Sequence, residues 1–126
     1  MSKITLGKRP AHFAPVTVEF PMHDSSMGTI QATFKYRTRE EYGAMIDEAT
    51  NSGKASPDGG ELTVEAMAAG AVHSDAMLIF KSLQAWDLDE PLTFENVYQL
   101  ANEVPAAVTA LLAAYRRLVS EGRLGN

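Results

Sequence analysis

The sequence contains no cysteine and no apolar run of the length that a membrane span needs. The lack of cysteine excludes structural disulfides, cysteine-ligated zinc sites and cysteine nucleophiles. Charged or amide side chains interrupt every apolar stretch well before the roughly 20 residues that cross a bilayer. The first ten residues carry three basic side chains but no apolar segment of a signal peptide. We therefore expect a soluble protein of a reducing cytoplasm.

Histidine is also scarce, and His12, His23 and His73 lie in unrelated contexts. Their spacing fits no metal-binding pattern, and the carboxylates of residues 87–90 lack the ligand spacing of a calcium loop. The sequence has neither a nucleophile elbow nor a phosphate-binding glycine loop. We therefore expect no catalytic residues, no metal site and no cofactor. An enzyme whose site is assembled from scattered residues is kept only as a third hypothesis.

The net charge of −5 is distributed unevenly along the chain. Residues 1–39 hold six basic and two acidic side chains, a balance of +4, whereas the other 87 residues hold five basic and fourteen acidic ones, a balance of −9. This polarity indicates either two faces with different electrostatic partners or a strand edge guarded by lysines. The aromatic neighbours of Lys35 and Arg37 are expected to point toward the core, which argues against a nucleic-acid surface there.

The first third of the chain has the pattern of β-strands. Residues 16–20 and 30–37 alternate apolar and polar side chains, and their apolar positions are rich in β-branched and aromatic types. The loop-forming residues between them predict an antiparallel hairpin, to which residues 4–6 would add a third strand. Because a two-stranded hairpin is only marginally stable, we expect later elements to cover its apolar face.

Helical periodicity follows the strands. Thr38 and Glu41 have the spacing of a capping box, which predicts a helix over residues 39–49. Residues 50–61 offer nothing to bury and predict a mobile loop.

A second helical region covers residues 62–86, and Gly70 near its middle leaves open whether it is one helix or two. Thr93 would cap the next helix, and Pro105 and Gly122 would begin and end the last one. We therefore predict an α+β fold in one domain, with an N-terminal antiparallel β-hairpin or three-stranded meander followed by a bundle of four to five helices. Its predicted parts are a β part over 1–37, a helix over 38–49, a mobile loop over 50–61 and a helical part over 62–122.

The helical half carries more alanine and methionine than a compact fold needs for its buried faces. Alanine permits close helix packing, and methionine adapts to irregular partners. These residues either pack against each other or form a surface for a partner, and the lack of catalytic patterns favours a binding protein. We place the partner-binding surface on Met67, Met77, Phe80 and Trp86, with a buried anchor between helices as the alternative role of Trp86.

Several motifs resemble, in their order and spacing, the tail assembly chaperones of long-tailed bacteriophages and prophages. Toward the C-terminus they are WDLDEP at 86–91, FENV at 94–97, PAAV at 105–108 and AYR at 114–116; toward the N-terminus they are ITLGKRP at 4–10 and FKYRT at 34–38. The resemblance covers most of the chain except residues 50–61.

This resemblance implies a non-enzymatic role in the cytoplasm of the bacterial host and absence from the mature virion. Such a chaperone binds the long helical tape measure protein, keeps it soluble and helps to recruit tail tube protein. Self-association is a further expectation, whereas nucleic acid and membranes are not expected as partners. In relatives a translational frameshift appends a second domain, and this chain would correspond to the short form.

The alternative is a small acidic chaperone or adaptor of the secretion type. Such a protein would bind an extended protein segment along the strands at residues 16–20 and 30–36. The phage hypothesis places the partner on the helices instead.

Overall fold

The computed structural model describes residues 3–52 and 63–122 of the chain. Strands β1 and β2 span Val16–Pro21 and Met27–Phe34, and helices α1 and α2 span Arg39–Ser52 and Val64–Ser82. Strand β3 spans Leu83–Trp86, and helices α3 and α4 span Phe94–Glu103 and Pro105–Glu121. These described residues thus form a three-stranded antiparallel sheet and four helices, which confirms the α+β class.

The sheet has one apolar and one polar face, as the alternation predicts. Strand β2 lies between β1 and β3 and is antiparallel to both. Side chains on the inner face are at most 5% exposed: Val18, Phe20, Ile30, Ala32 and Phe34. The opposite face is exposed and polar, with Thr17, Glu19, Thr29 and Gln31. Helix α4 packs against β1, so a helix covers the apolar face.

The third strand does not come from residues 4–6, where we predicted it. Ile4 and Leu6 are 86% and 88% exposed, and Gly7 has a φ of 83°, which turns the chain there. Only the following segment reaches the sheet, through an isolated bridge between His12 and Lys35. Residues 4–6 therefore do not pair with β2.

Strand β3 instead comes from the end of the region that we predicted as helical. Its pairing with β2 shifts register between Thr33 and Phe34, so one extra residue of β3 is accommodated as a bulge. The shift places Leu83 opposite Phe34 and Trp86 opposite Ala32, both on the inner face. Two apolar residues three apart thus share a face of the sheet, a spacing that also fits a helix.

Local capping chemistry sets the helix ends as predicted. The Glu41 N–H donates to Thr38 Oγ1 at 3.2 Å, and the Thr38 N–H donates to Glu41 Oε1 at 2.9 Å, which completes the capping box. The Thr93 hydroxyl accepts a 3.2 Å bond from the first turn of α3. Pro105 is the first residue of α4, and Gly122 ends it with a φ of 79°.

Two helix boundaries differ from the prediction. Helix α1 continues three residues beyond the predicted end at Ala49, and Ala49 itself is fully buried. Helix α2 runs through Gly70 without a break. Of the predicted loop, residues 53–61 lie outside the described part of the chain.

The sheet and the helices share one apolar core. Helix α2 packs between α1 and α3, while α4 contacts β1, α3, α2 and α1. Buried residues of α4 include Val108, Leu111, Tyr115 and Leu118. Within residues 3–52 and 63–122, no helix combines the length and apolar character that crossing a membrane requires.

Candidate partner-binding surface

The first half of α2 extends beyond the helix that packs beside it. An α-helix rises 1.5 Å per residue, so α2 is about 28 Å long and α1 about 21 Å. The Ser74 hydroxyl donates to the Thr50 carbonyl at 3.4 Å, which sets the last turn of α1 beside the middle of α2. Every residue from 63 to 71 except Gly70 is exposed. Within residues 3–52 and 63–122, no other helix covers this half of α2.

An apolar stripe runs along the open half of α2. Val64, Met67, Ala68 and Ala71 follow the spacing 0, 3, 4, 7 and therefore lie on one side of the helix. Val64 is 79% exposed and Met67 is 53% exposed. We call these four residues the α2 patch. Thr63 caps the helix, because its hydroxyl accepts the Ala66 N–H at 3.0 Å, so the patch stands on a well-formed first turn.

A second apolar surface lies where α2 meets α3. The ring of Phe94 contacts Phe80, His73 and Tyr98, with centroid distances of 5.9, 5.5 and 6.3 Å. The Phe80 ring is nearly perpendicular to that of Phe94, at 85°, and its residue is 36% exposed. We call these four residues the Phe94 cluster. Its outer edge remains accessible to a partner.

Trp86 lies apart from both surfaces. It is half-buried on the inner face of β3, packs against the core and donates its Nε1–H to the Glu90 carbonyl at 2.8 Å. The same indole lines a groove of about 500 Å³ between the loop after β3 and helix α3. Its described lining residues are apolar at Trp86, Leu88, Leu100 and Val104 and polar at Glu90, Asn96, Gln99 and Glu103. We call it the Trp86 groove.

The structure thus distributes the four predicted residues instead of bringing them together. Met67 belongs to the α2 patch, Phe80 belongs to the Phe94 cluster, and Met77 is half-buried. At 100° per residue, Met67 and Phe80 point about 140° apart around α2 and lie about 20 Å apart along it. Trp86 belongs to a third surface.

Sequence reasoning missed Val64, Phe94 and the α3 side of the Trp86 groove. Val64 precedes Met67 by three residues, so its helical phase was available from the sequence. That phase alone does not separate an exposed stripe from a buried one. The exposure of Val64 and Met67, together with the end of α1 beside Ser74, shows that no helix of the described part of the chain covers the stripe.

Hydrogen bonds lower the pKa of two carboxyl groups, Glu41 and Asp24, whereas burial raises the pKa of Asp75 on α2. Hydrogen bonding to the Thr38 N–H, then to Arg9, lowers the pKa of Glu41 at the start of α1. The hydroxyl and N–H of Ser26 lower the pKa of Asp24 in the hairpin loop. Across the described part of the chain, no three histidine or carboxylate side chains come together as a metal site would require.

The strands do not offer the docking face that a secretion-type chaperone would use. The apolar face of the sheet is buried beneath the helices, and Phe34 is fully buried. Arg37 is half-buried and donates to the Lys81 carbonyl at 2.7 Å. The face of the sheet that remains open is polar.

A well-packed core together with exposed apolar stripes on helices is typical of a protein that binds other proteins. A family model described as phage tail assembly chaperone matches residues 1–126. The chain therefore belongs to the phage tail assembly chaperone family, a non-catalytic kind of protein. No curated protein and no solved structure matches the chain significantly.

Proposed function

We propose that this protein binds the tape measure protein of its phage through the α2 patch, keeps it soluble and helps to bring tail tube protein to it. Its family supports phage tail proteins as partners in general. The observation that carries the choice of surface is the exposure of Val64 and Met67 on a capped helix whose neighbour ends too early to cover them. The proposed place of action is the host cytoplasm before the tail is complete, with release before the virion is mature.

The geometry of the α2 patch suits an amphipathic helix as the bound segment. Apolar side chains at 0, 3, 4, 7 present a straight stripe against which the apolar face of a second helix can lie. Full burial of an aliphatic side chain contributes about 1.5–3 kcal/mol, so Val64 and Met67 provide a substantial but reversible attraction. Reversibility is needed because the tube must later replace the chaperone.

The Phe94 cluster offers a second, separate contact. Phe80 lies about 20 Å from Met67 along α2 and points about 140° away from it, and Met77 lies between them in the sequence. A partner helix seated on the α2 patch would therefore reach Phe80 only through a second segment of the partner that passes around α2. The proposal therefore expects Met67 to contribute most, Phe80 less and Met77 least.

Co-expression with the tape measure protein tests this proposal. The variant Val64→Glu/Met67→Glu should lose co-purification and leave the tape measure protein insoluble, while its circular dichroism spectrum stays unchanged. The matched control is Met27→Glu in the hairpin, where the methionine is 60% exposed but far from α2. Equal recovery of the partner with both variants would contradict the assignment of the surface.

Recruitment of the tail tube protein needs a separate measurement. Tube protein added to the soluble complex should co-elute with it, and it should be absent from the Val64→Glu/Met67→Glu sample that lacks the tape measure protein. Tube protein that bound neither sample would contradict recruitment and leave the first part of the proposal standing.

A further inference from the structure

The apolar stripe of the α2 patch leads to an acidic side chain. Val64, Ala68 and Ala71 are followed by Asp75 at the spacing 0, 4, 7, 11, so the four positions lie on one side of α2. Asp75 lies about 6 Å beyond Ala71 along the helix axis and about 16 Å beyond Val64. The surface that we assign to the partner therefore ends at a carboxylate.

Asp75 is half-buried, and its carboxylate has no partner among the described residues. Within residues 3–52 and 63–122 it forms neither an ion pair nor a hydrogen bond. Lys81, the one lysine of α2, pairs with Glu48 of α1 at 3.1 Å. Burial raises the pKa of Asp75, because partial loss of water disfavours the charged form. The described part of the fold thus holds a partly dehydrated acid without supplying a cation for it.

The end of α1 makes the potential at this position more negative. The Ser74 hydroxyl donates to the Thr50 carbonyl at 3.4 Å, so the last turn of α1 lies beside Ser74 and its neighbour Asp75. The C-terminus of a helix carries a partial negative charge, which comes from carbonyl groups without a partner in the helix. The last turn of α1 contains no basic residue. A carboxylate and a helix C-terminus thus meet at the end of the apolar stripe, and both would attract a cation.

We propose that the bound segment of the tape measure protein places a lysine or arginine against Asp75. This inference rests on the proposed function and adds the chemistry of the bound segment, which has apolar side chains against the α2 patch and a cation about one helical turn further on. Apolar side chains repeated at each turn allow a bound helix to shift by one turn, whereas an ion pair at one end favours a single register. Asp75 therefore sets the position and the direction of the bound helix.

The variant Asp75→Asn tests the role of the charge with little change of shape. The complex with the tape measure protein is formed by co-expression and then mixed with an excess of differently tagged, unaltered chaperone, and the release of the tape measure protein is timed. Asp75→Asn should accelerate release roughly tenfold at low salt, as expected for the loss of a charge-assisted bond. The ratio of the two rates should shrink with added salt, which screens the attraction in the unaltered complex.

The matched control is Asp89→Asn, which makes the same chemical change in the loop after β3, where Asp89 is exposed. This variant should release the tape measure protein at the rate of the unaltered chaperone. Equal rates for Asp75→Asn and the unaltered chaperone would overturn the proposal. Equal acceleration by both variants would also overturn it, because the effect would then come from net charge and not from Asp75.

Urea titration of the free chaperone separates a binding role of Asp75 from a structural one. Because burial of a carboxylate without a partner is unfavourable, Asp75→Asn should leave the urea midpoint unchanged or raise it. Faster release together with an unchanged or higher midpoint would support the proposal. A lower midpoint would make Asp75 a residue that stabilises the fold, and it would overturn the assignment to the partner.

Exchange of charges tests the partner cation itself. Asp75→Lys should prevent recovery of the tape measure protein, and changing one lysine or arginine to glutamate in the segment that the chaperone protects from proteolysis should restore it. If no basic residue of that segment restores recovery, the inference about Asp75 is overturned. Val64→Glu/Met67→Glu distinguishes this failure from failure of the proposed function, because full recovery with that variant would overturn the α2 patch as well.

Discussion

Tyr115 and Phe94 each occupy the centre of an aromatic cluster, but only the first is closed to solvent. The Tyr115 ring is fully buried, stacks on Phe34 at 5.0 Å and receives the edge of Tyr42 at 5.4 Å. In the Phe94 cluster, by contrast, the Phe80 side remains open. We call Tyr115, Phe34 and Tyr42 the closed cluster. Similar side chains thus form a structural centre in one place and an accessible surface in the other.

Hydrogen bonds account for part of this difference. The Tyr115 hydroxyl donates to the Lys35 carbonyl at 2.9 Å and accepts from Arg37 Nη1 at 3.0 Å. The same Arg37 nitrogen donates to the Lys81 carbonyl at the end of α2. These bonds join α4, the end of the sheet and α2 at one point. The Phe94 cluster joins only α2 and α3, by ring contacts, so a change there should spread less.

The largest expected effect is that of Tyr115→Ala. Removing a buried aromatic ring typically costs about 3–5 kcal/mol, and here the hydrogen bonds to Lys35 and Arg37 are lost as well. We expect much of the population to unfold at room temperature, measured by urea titration of the circular dichroism signal. Tyr98→Ala in the Phe94 cluster is the matched control and should cost about 1 kcal/mol. Similar losses for the two variants would show that the clusters do not differ as described.

Tyr115→Phe should have a smaller effect, because it keeps the ring and removes only the hydroxyl. The Lys35 carbonyl then loses its donor in a partly buried site, which costs about 1–2 kcal/mol. Urea midpoints would measure this loss against Tyr98→Phe, which we expect to be within about 0.5 kcal/mol of the unaltered protein. If Tyr115→Phe left the urea midpoint unchanged, ring packing alone would account for the stability of the closed cluster.

Alkaline pH should lower the free energy of unfolding by less than the about 1–2 kcal/mol expected for Tyr115→Phe. Burial raises the pKa of Tyr115 above the ordinary value of 10.0, against a smaller opposing effect of Arg37, and burial also raises the pKa of Tyr42. Above about pH 10, unfolded phenols release protons that the folded state retains, so the free energy of unfolding falls as pH rises.

The measurement is the urea midpoint at about pH 8 and about pH 10.5, on either side of the ordinary phenol pKa. Tyr115→Phe is the control, and its midpoint should fall less than that of the unaltered protein. An equal fall in both proteins would show that other groups cause the pH dependence.

Much of the fold was available from the sequence because its signals are local. Alternation predicts β1 and β2, and the residues Thr38, Thr93, Pro105 and Gly122 predict helix ends through bonds or backbone angles within a few residues. Strand β3 was not predictable in this way. Its bulge places Leu83 and Trp86 on one face at a helical spacing, and only pairing with the distant β2 makes it a strand.

The three exposed surfaces were harder to predict than the fold, because they depend on how the elements pack. Met67, Phe80 and Trp86 were found as members of an apolar segment, but their separation onto three surfaces follows from how α1, α3 and β3 pack. The roles of Tyr115 and Arg37 had no sequence signal of their own, since their partners lie up to 80 residues away. A local pattern identifies apolar residues, whereas packing decides which of them remain exposed.

A small effect on stability is expected for Phe80→Ser, which tests the comparison from the side of the Phe94 cluster. Phe80 already exposes 36% of its surface, so the loss of its contact with Phe94 should cost about 1 kcal/mol or less. Phe34→Ser in the closed cluster should unfold the protein, because Phe34 has no exposed surface.

The two phenylalanine variants differ further in their expected effect on binding. Phe80→Ser should reduce co-purification with the tape measure protein while its urea midpoint stays close to that of the unaltered protein, since the ring edge is accessible to a partner. If Phe80→Ser instead lowered stability as much as Phe34→Ser, the Phe94 cluster would be part of the core. Its exposed edge would then be incidental to packing between α2 and α3.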